Sequence, residues 1–204
     1  MISIIMDQKI TVPPPFDALA ASDTRLNSLA EKQRLFLQGM QPRLLYLVLD
    51  GMVSLQRHTE SGQTVILYRA SPGDMLAEAS LFSQAYHCDC VAERNSRLLA
   101  FAMPAVRRMM KTDPGFGAAL AERFALQVQR YRRQLELRSI KSARERVLAG
   151  LSDGWLGGNI LQFAADLGLT HEATYRALSA LTAQGLAEKT GRGRYRAAKR
   201  HDGA

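Results

Sequence analysis

The stretch LQFAADLGLTHEATYRALSALTAQGLAEKTGRGRYR, residues 161–196, decides how this chain is read. Leu161, Phe163, Ala164 and Leu167 fall on one helical face, and Gly168 breaks the pattern one residue later. Thr170 supplies the side-chain oxygen that an N-cap needs. A second periodic run follows through Ala173, Ala177, Leu178 and Leu181, and Gly185 closes it. Two short helices joined by a Gly-containing turn are the unit that lays its second helix into a DNA major groove. Away from the apolar stripe stand His171, Glu172, Tyr175 and Arg176, in the first two turns of the second helix. There a Glu can accept from cytosine N4 and an Arg can pair with guanine O6 and N7. Beyond it come Lys189, Arg192, Arg194, Arg196, Lys199 and Arg200 with no acid among them, and Gly191 and Gly193 between strands predict a hairpin wing on phosphate. The plainer alternative is a small helical hairpin with solvated charges.

The totals agree with a polyanionic partner. The 204 residues carry a net charge of +8, with 47% apolar and 23% charged residues, enough for one good core or two modest domains. No long uncharged apolar run predicts a spanning helix, and Met1 to Met6 is too short and lacks a basic flank for a signal peptide. That lack of a spanning run argues against a membrane partner, and Cys88 and Cys90, too few and too close for a disulfide framework, make a reducing cytoplasm the default. No nucleophile–base pair or metal-ligand spacing marks an enzyme.

Residues 1–24 read as a flexible leader, with Pro13, Pro14 and Pro15 favouring an extended arm. Residues 25–112 carry signals of short strands: the apolar run Leu44 to Leu49, a hairpin turn at Asp50-Gly51, and an alternating Met52 to Arg57. Gln63 to Arg69, a turn at Pro72-Gly73-Asp74, and two strands at Cys88 to Ala92 and Leu98 to Ala102 complete the set, predicting a jelly-roll or barrel. Residues 113–139 predict one long helix in which Phe124, Val128, Tyr131 and Leu135 are spaced four, three and four, the seam of a two-stranded coiled coil. Arg130, Arg132, Arg133, Glu136 and Arg138 occupy the opposite faces. A helix from Ala143 to Leu151 leads into the reading unit, within a fourth segment, 140–204.

A β-rich sensor, a long helix and a C-terminal helix-turn-helix, in that order, resemble the cyclic AMP receptor protein and fumarate–nitrate regulator (Crp/Fnr) family. The likeness rests on Gly51-Met52-Val53, Pro72-Gly73-Asp74, Ala77-Glu78-Ala79-Ser80-Leu81-Phe82, Ser142-Ala143-Arg144-Glu145-Arg146-Val147-Leu148 and Leu167 to Leu178. The resemblance implies an α+β chain: an N-terminal double-stranded β-helix of the cyclic-nucleotide-binding kind, a dimerisation helix and a C-terminal winged helix-turn-helix. It also implies a homodimer on a near-palindromic duplex, in contact with RNA polymerase. The family's reading pair, a Glu and an Arg four residues on, falls on Glu172 and Arg176. His171 and Tyr175 stand at positions that contact DNA or tune sequence choice, beside Thr170, Lys189, Arg192 and Arg194.

The sensor departs from the cyclic-nucleotide pattern. Glu78 matches the ribose-binding Glu, but Ala77 replaces the preceding Gly, and the family's Arg-Ser pair falls on Cys88-Asp89. A thiol beside a carboxylate cannot replace a guanidinium for a phosphodiester. The effector pocket is therefore expected around Glu78, Ala79, Cys88, Asp89 and Tyr131, with an effector other than cyclic AMP and no resident cofactor. Two cysteines fall short of the four thiolates of an iron–sulfur cluster, and His87, Cys88 or Cys90 would be the donors to a haem or soft metal. On a strand Cys88 and Cys90 would share one face, where small apolar filling is the commoner role. The competing function is a ligand-, metal- or thiol-responsive signalling module whose C-terminal unit docks protein instead of DNA.

Overall fold

In a computed structural model, residues 11–157 and 159–198 are described. They fold as a mixed α and β chain that divides into two compact units, one ending at Phe124 and the other beginning at Ala125. The first unit is built on two long antiparallel strands, β3 (Leu44–His58) and β6 (Asp89–Ala102). β1 (Thr24–Leu29) pairs along the far side of β6, and β4 (Thr64–Ala70) along the far side of β3. Two short strands, β2 (Arg34–Phe36) on β6 and β5 (Met75–Leu76) on β3, close the ends. The run Leu45 to Val48 is buried at every residue, the pattern of a strand covered on both faces.

Three expectations for this unit are corrected. Asp50-Gly51 is a bulge inside a continuous β3, not a hairpin turn. Gly51 takes φ +90°, its N–H donates to Asp50 Oδ1 at 2.9 Å, and the β3–β6 register shifts around it. The Met52 N–H donates to Ser96 Oγ at 3.0 Å, and a Cβ on Gly51 would overlap Ser96 and the Asn95 carbonyl, so only glycine fits. The strands expected at Cys88 to Ala92 and Leu98 to Ala102 are one strand, because Arg94, Ser96 and Arg97 keep partners in β3 or β1. The leader is also folded down from Phe16. That ring is fully buried, stacked on Phe101 at 4.3 Å and edge-on to Phe116. Burying such a ring stabilises by about 1.5–3 kcal/mol, enough to hold an arm that proline content alone would leave extended.

Two helices follow, α1 (Met103–Thr112) and α2 (Pro114–Ser139). Pro104 sits in the first turn of α1, where its missing N–H is harmless. The Phe116 N–H donates to Asp113 Oδ1 at 3.0 Å, which lets the chain restart as α2. Phe124 packs against the core of the first unit, and Leu137 is buried in that of the second.

The second unit adds α3 (Ala143–Ser152), α4 (Ile160–Asp166) and α5 (His171–Ala183), then a hairpin of β7 (Ala187–Gly191) and β8 (Arg194–Ala197). Each of these helices is N-capped by a side-chain oxygen, from Ser142, Asn159 and Thr170. Val147, Leu151, Phe163, Leu167, Leu178 and Leu181 form the core, and Trp155 packs against it. At Gly150 a Cβ would come within 2.9 Å of the Phe163 ring, so α3 and α4 approach closely there. The apolar face of α4 is corrected by one residue. Ile160, Phe163, Ala164 and Leu167 are buried at the i, i+3, i+4, i+7 positions, while Leu161 is 46% exposed.

Candidate functional site

α5 presents two faces of opposite character. Thr174, Ala177, Leu178 and Leu181 are buried, and His171, Glu172, Tyr175 and Arg176 are exposed. Thr170 Oγ1 accepts from the Ala173 N–H at 3.1 Å, which fixes where the helix begins and where these side chains emerge. Glu172 is held below the ordinary carboxylate range. The causes are its own backbone N–H, then the Thr170 hydroxyl, then the charges of His171 and Arg176. An ionised Glu172 beside Arg176, one turn apart, is a matched acceptor and donor facing solvent. Beside that row lies a second one: the rings of His171 and Tyr175 meet edge-to-face, centroids 4.7 Å apart and planes at 82°.

The hairpin carries exposed cations. Lys189 lies on β7, Arg192 in the turn and Arg194 on β8, and Gly193 turns the chain at φ +70°. Arg196 differs, since its Nη2 lies 2.7 Å from Glu188 Oε2 across the strands and its charge is partly answered. Lys199 and Arg200 lie outside the described residues.

The candidate sensor residues are less uniform. Ala77, buried, takes the left-handed conformation at φ +68°, and Glu78 opens a short 3-10 turn to Ser80. Ala79 is exposed. Cys88 precedes β6 and is half-buried. Burial pushes its thiol up, the Arg57 charge opposes that, and Asp89 and Glu78 add to it. The Asp89 carboxylate is buried, accepts from the Gln38 N–H at 2.7 Å and lies 3.7 Å from His58 Nε2. Cys90 belongs to the apolar core with Phe36, Tyr46 and Tyr86, and burial raises its thiol far up. Cys88 therefore does not share a strand face with Cys90 as expected, because the strand starts only at Asp89. His87 is exposed, and its carbonyl accepts from Arg57 Nε at 2.7 Å. Tyr131 belongs to the second unit, where Gln127 Nε2 lies 2.8 Å from its hydroxyl. Among the described residues no three His, Cys, Asp or Glu side chains gather as metal ligands, and no helix is long and apolar enough to cross a membrane. A recess of about 270 Å³ lined by Leu81, Phe82 and Arg107, with Gln41, Pro42, Ser83 and Gln84, holds none of the expected effector residues.

On α2 the expected seam is partly open. Val128 and Leu135 are 45% and 67% exposed, and Tyr131 is half-buried. Leu126, also exposed, lies on the opposite side of the helix.

Sequence reasoning missed a polar network at the end of α4. Arg130 and Arg138, placed by the sequence only on the faces away from the seam, are engaged there. Arg138 Nη2 donates to the Ala165 carbonyl at 2.8 Å and its Nε to that of Asp166 at 3.2 Å. Gln134 donates to the Asp166 carbonyl at 3.1 Å, and Arg146 Nη1 to that of Leu167 at 3.0 Å. The buried Asp166 carboxylate accepts from Gln162 at 2.9 Å and lies 3.9 Å from Arg130. The available signal was the short helix itself, whose last carbonyls need donors.

Comparison with known proteins places these features in a family. Residues 26–113 match the cyclic nucleotide-binding domain family. The chain is 30% identical over 190 residues to the cyclic AMP receptor protein of Thermus thermophilus, covering 85% of this chain and 87% of that protein. Its fold is similar to FixK2 of Bradyrhizobium japonicum, with TM-score 0.67, 21% identity, and coverage of 87% and 93% of the two chains. It is also similar in fold to the c-di-GMP responsive global regulator CLP of Xanthomonas campestris, with TM-score 0.58, 17% identity, and coverage of 87% and 95%. With a relative this similar along most of its length, the chain belongs to the Crp/Fnr family of transcription regulators.

Proposed function

We propose that this chain is a homodimeric, sequence-specific DNA-binding regulator acting in the cytoplasm. Residues 25–112 are its sensor, 113–139 its dimerisation helix and 140–204 a winged helix-turn-helix. The observation that carries this reading is the exposed Glu172–Arg176 pair on the solvent face of α5, flanked by the cations of the β7–β8 hairpin. α4, its turn and α5 form the helix-turn-helix; α5 enters the major groove, and Thr170, Lys189, Arg192 and Arg194 lie along phosphate. Two copies joined along Val128, Tyr131 and Leu135, with Phe124 at the start of the seam, set two α5 helices against a near-palindromic duplex. A signal in the sensor shifts the population of helix-pair arrangements and so the spacing of the reading helices, for which RNA polymerase is the downstream partner.

A salt titration of binding to a random duplex tests this. Lys189, Arg192 and Arg194 from each of two copies make six phosphate-facing cations, so log affinity is expected to fall against log salt with a slope of about −5. A slope near zero would sink the DNA reading in favour of a unit that docks protein.

The sensor is proposed to answer an effector other than a cyclic nucleotide. In this reading Cys88 and Asp89 stand where a cyclic nucleotide's phosphate would need a cation, and the burial of the Asp89 carboxylate supports it. Arg57, whose charge reaches Cys88, already gives its Nε to the His87 carbonyl. Ala77 further bears a left-handed backbone that costs an L-residue about 1–2 kcal/mol. Ala77→Gly is therefore expected to stabilise the first unit by about 0.5–1 kcal/mol, net of glycine's greater freedom when unfolded. Thermal melts should register that gain, and millimolar cyclic AMP should move the Tm of neither form. A clear rise with the nucleotide would overturn the effector assignment.

A further inference from the structure

We propose that the His171–Tyr175 ring pair reads the C5 methyl of a thymine in the major groove, beside the base pair addressed by Arg176. The proposal rests on the DNA-reading function above and extends it to a chemical class of base that Glu172 and Arg176 do not recognise. His171 and Tyr175 are four residues apart, as are Glu172 and Arg176, one position further on. The helix therefore carries two parallel rows, one charged and one aromatic, running side by side toward its N-terminus.

The aromatic row is not core. The buried face of α5 is made by Thr174, Ala177, Leu178 and Leu181, and Tyr175 keeps 40% of its surface exposed. What the two rings do touch is each other, edge-to-face at 4.7 Å, which orders both side chains before any ligand arrives. Ordering in advance lowers the entropy cost of contact. In the major groove thymine alone presents a hydrocarbon group, while the other edges offer donors and acceptors that Glu172 and Arg176 suit. A carbon-faced row next to a charged row matches a thymine next to a guanine. The polar ends of the same side chains, the Tyr175 hydroxyl and the His171 nitrogens, offer a rival contact to phosphate that a variant can separate.

The test uses the full-length protein and duplexes enriched from a random library, resynthesised with deoxyuridine for thymidine at one position at a time. Uracil keeps every hydrogen-bonding group of thymine and lacks only the methyl. One thymine in each half-site is expected to lose about fourfold in affinity on that replacement, the worth of one buried methyl-sized group. Tyr175→Ala should make thymine and uracil duplexes bind alike while preserving the guanine preference of Arg176. Tyr175→Phe, which keeps the ring and drops the hydroxyl, should retain the fourfold difference. The proposal is overturned if no thymine position is sensitive, if Tyr175→Ala keeps the sensitivity, or if Tyr175→Phe behaves like Tyr175→Ala. An enriched duplex without methyl sensitivity removes the ring-pair assignment alone. Failure to enrich any duplex, with salt-insensitive binding, removes the DNA reading and this assignment together.

Discussion

Arg176→Ala is expected to erase about 1–3 kcal/mol of discrimination at one base pair in each half-site, roughly doubled over a twofold-symmetric duplex. The guanidinium is exposed on α5 one turn after an ionised Glu172, and in the proposed complex it is the donor fork for a guanine edge. Without it, Glu172 retains its acceptor for cytosine N4 but loses the cation beside it. Binding to an enriched duplex should fall toward the level of its single-base variants, while the salt slope changes little. Arg194→Ala provides the contrast. It lies exposed on β8 and is proposed to address phosphate, so every sequence should weaken alike and the slope should flatten by about one for each copy. Gel shifts on the enriched duplex and its variants, each across a salt series, read both effects. The reverse pattern would mean that helix and hairpin exchange roles.

The α5 unit was legible because its signals are local. Thr170 as N-cap, the periodic Ala177, Leu178 and Leu181, and Gly168 and Gly185 at positive φ each act within a turn of chain. The candidate pair follows directly, since the residues left off the buried stripe are the ones facing water. The misread features depend on partners distant in sequence. Asp50-Gly51 has hairpin chemistry, but Ser96, 44 residues away, holds the Met52 N–H and keeps the strand running through. Phe16 follows three prolines that speak for an extended arm, and Phe101, Phe116 and the Arg123 guanidinium, all distant in sequence, hold it in place. Cys88 and Cys90 alternate as strand residues should, yet the strand begins between them. Leu161 and Ile160 are equally apolar neighbours, and only packing in the core of the second unit decides which one is buried. Arg138 looks like any surface arginine until the carbonyls of Ala165 and Asp166 arrive beside it.

Asp166→Ala is expected to destabilise the second unit by about 2–3 kcal/mol, far more than any exposed ion pair in it. The Asp166 residue is 5% exposed, and its carboxylate accepts from Gln162 at 2.9 Å with the Arg130 guanidinium 3.9 Å away. Removing it takes an ionic acceptor from a buried amide and leaves a small void at the end of α4. Glu188→Ala breaks the Arg196 pair on the hairpin surface, where both side chains meet water, and should cost at most about 0.5 kcal/mol. Trp155, the single tryptophan, packs against the core of this unit, so its fluorescence during urea denaturation follows the relevant transition. The consequence for binding is also specific. The carbonyls that Gln134, Arg138 and Arg146 hold stand at the end of α4 and in the turn that leads into α5. Loosening that turn lowers the fraction of molecules with α5 ready to dock, so affinity for all duplexes should drop by a common factor. Discrimination at the Arg176 position should survive, because the side chain that makes it is untouched. Equal stability in the two variants, or selective loss at the Arg176 base pair, would show that Asp166 does not act by holding α4 in place.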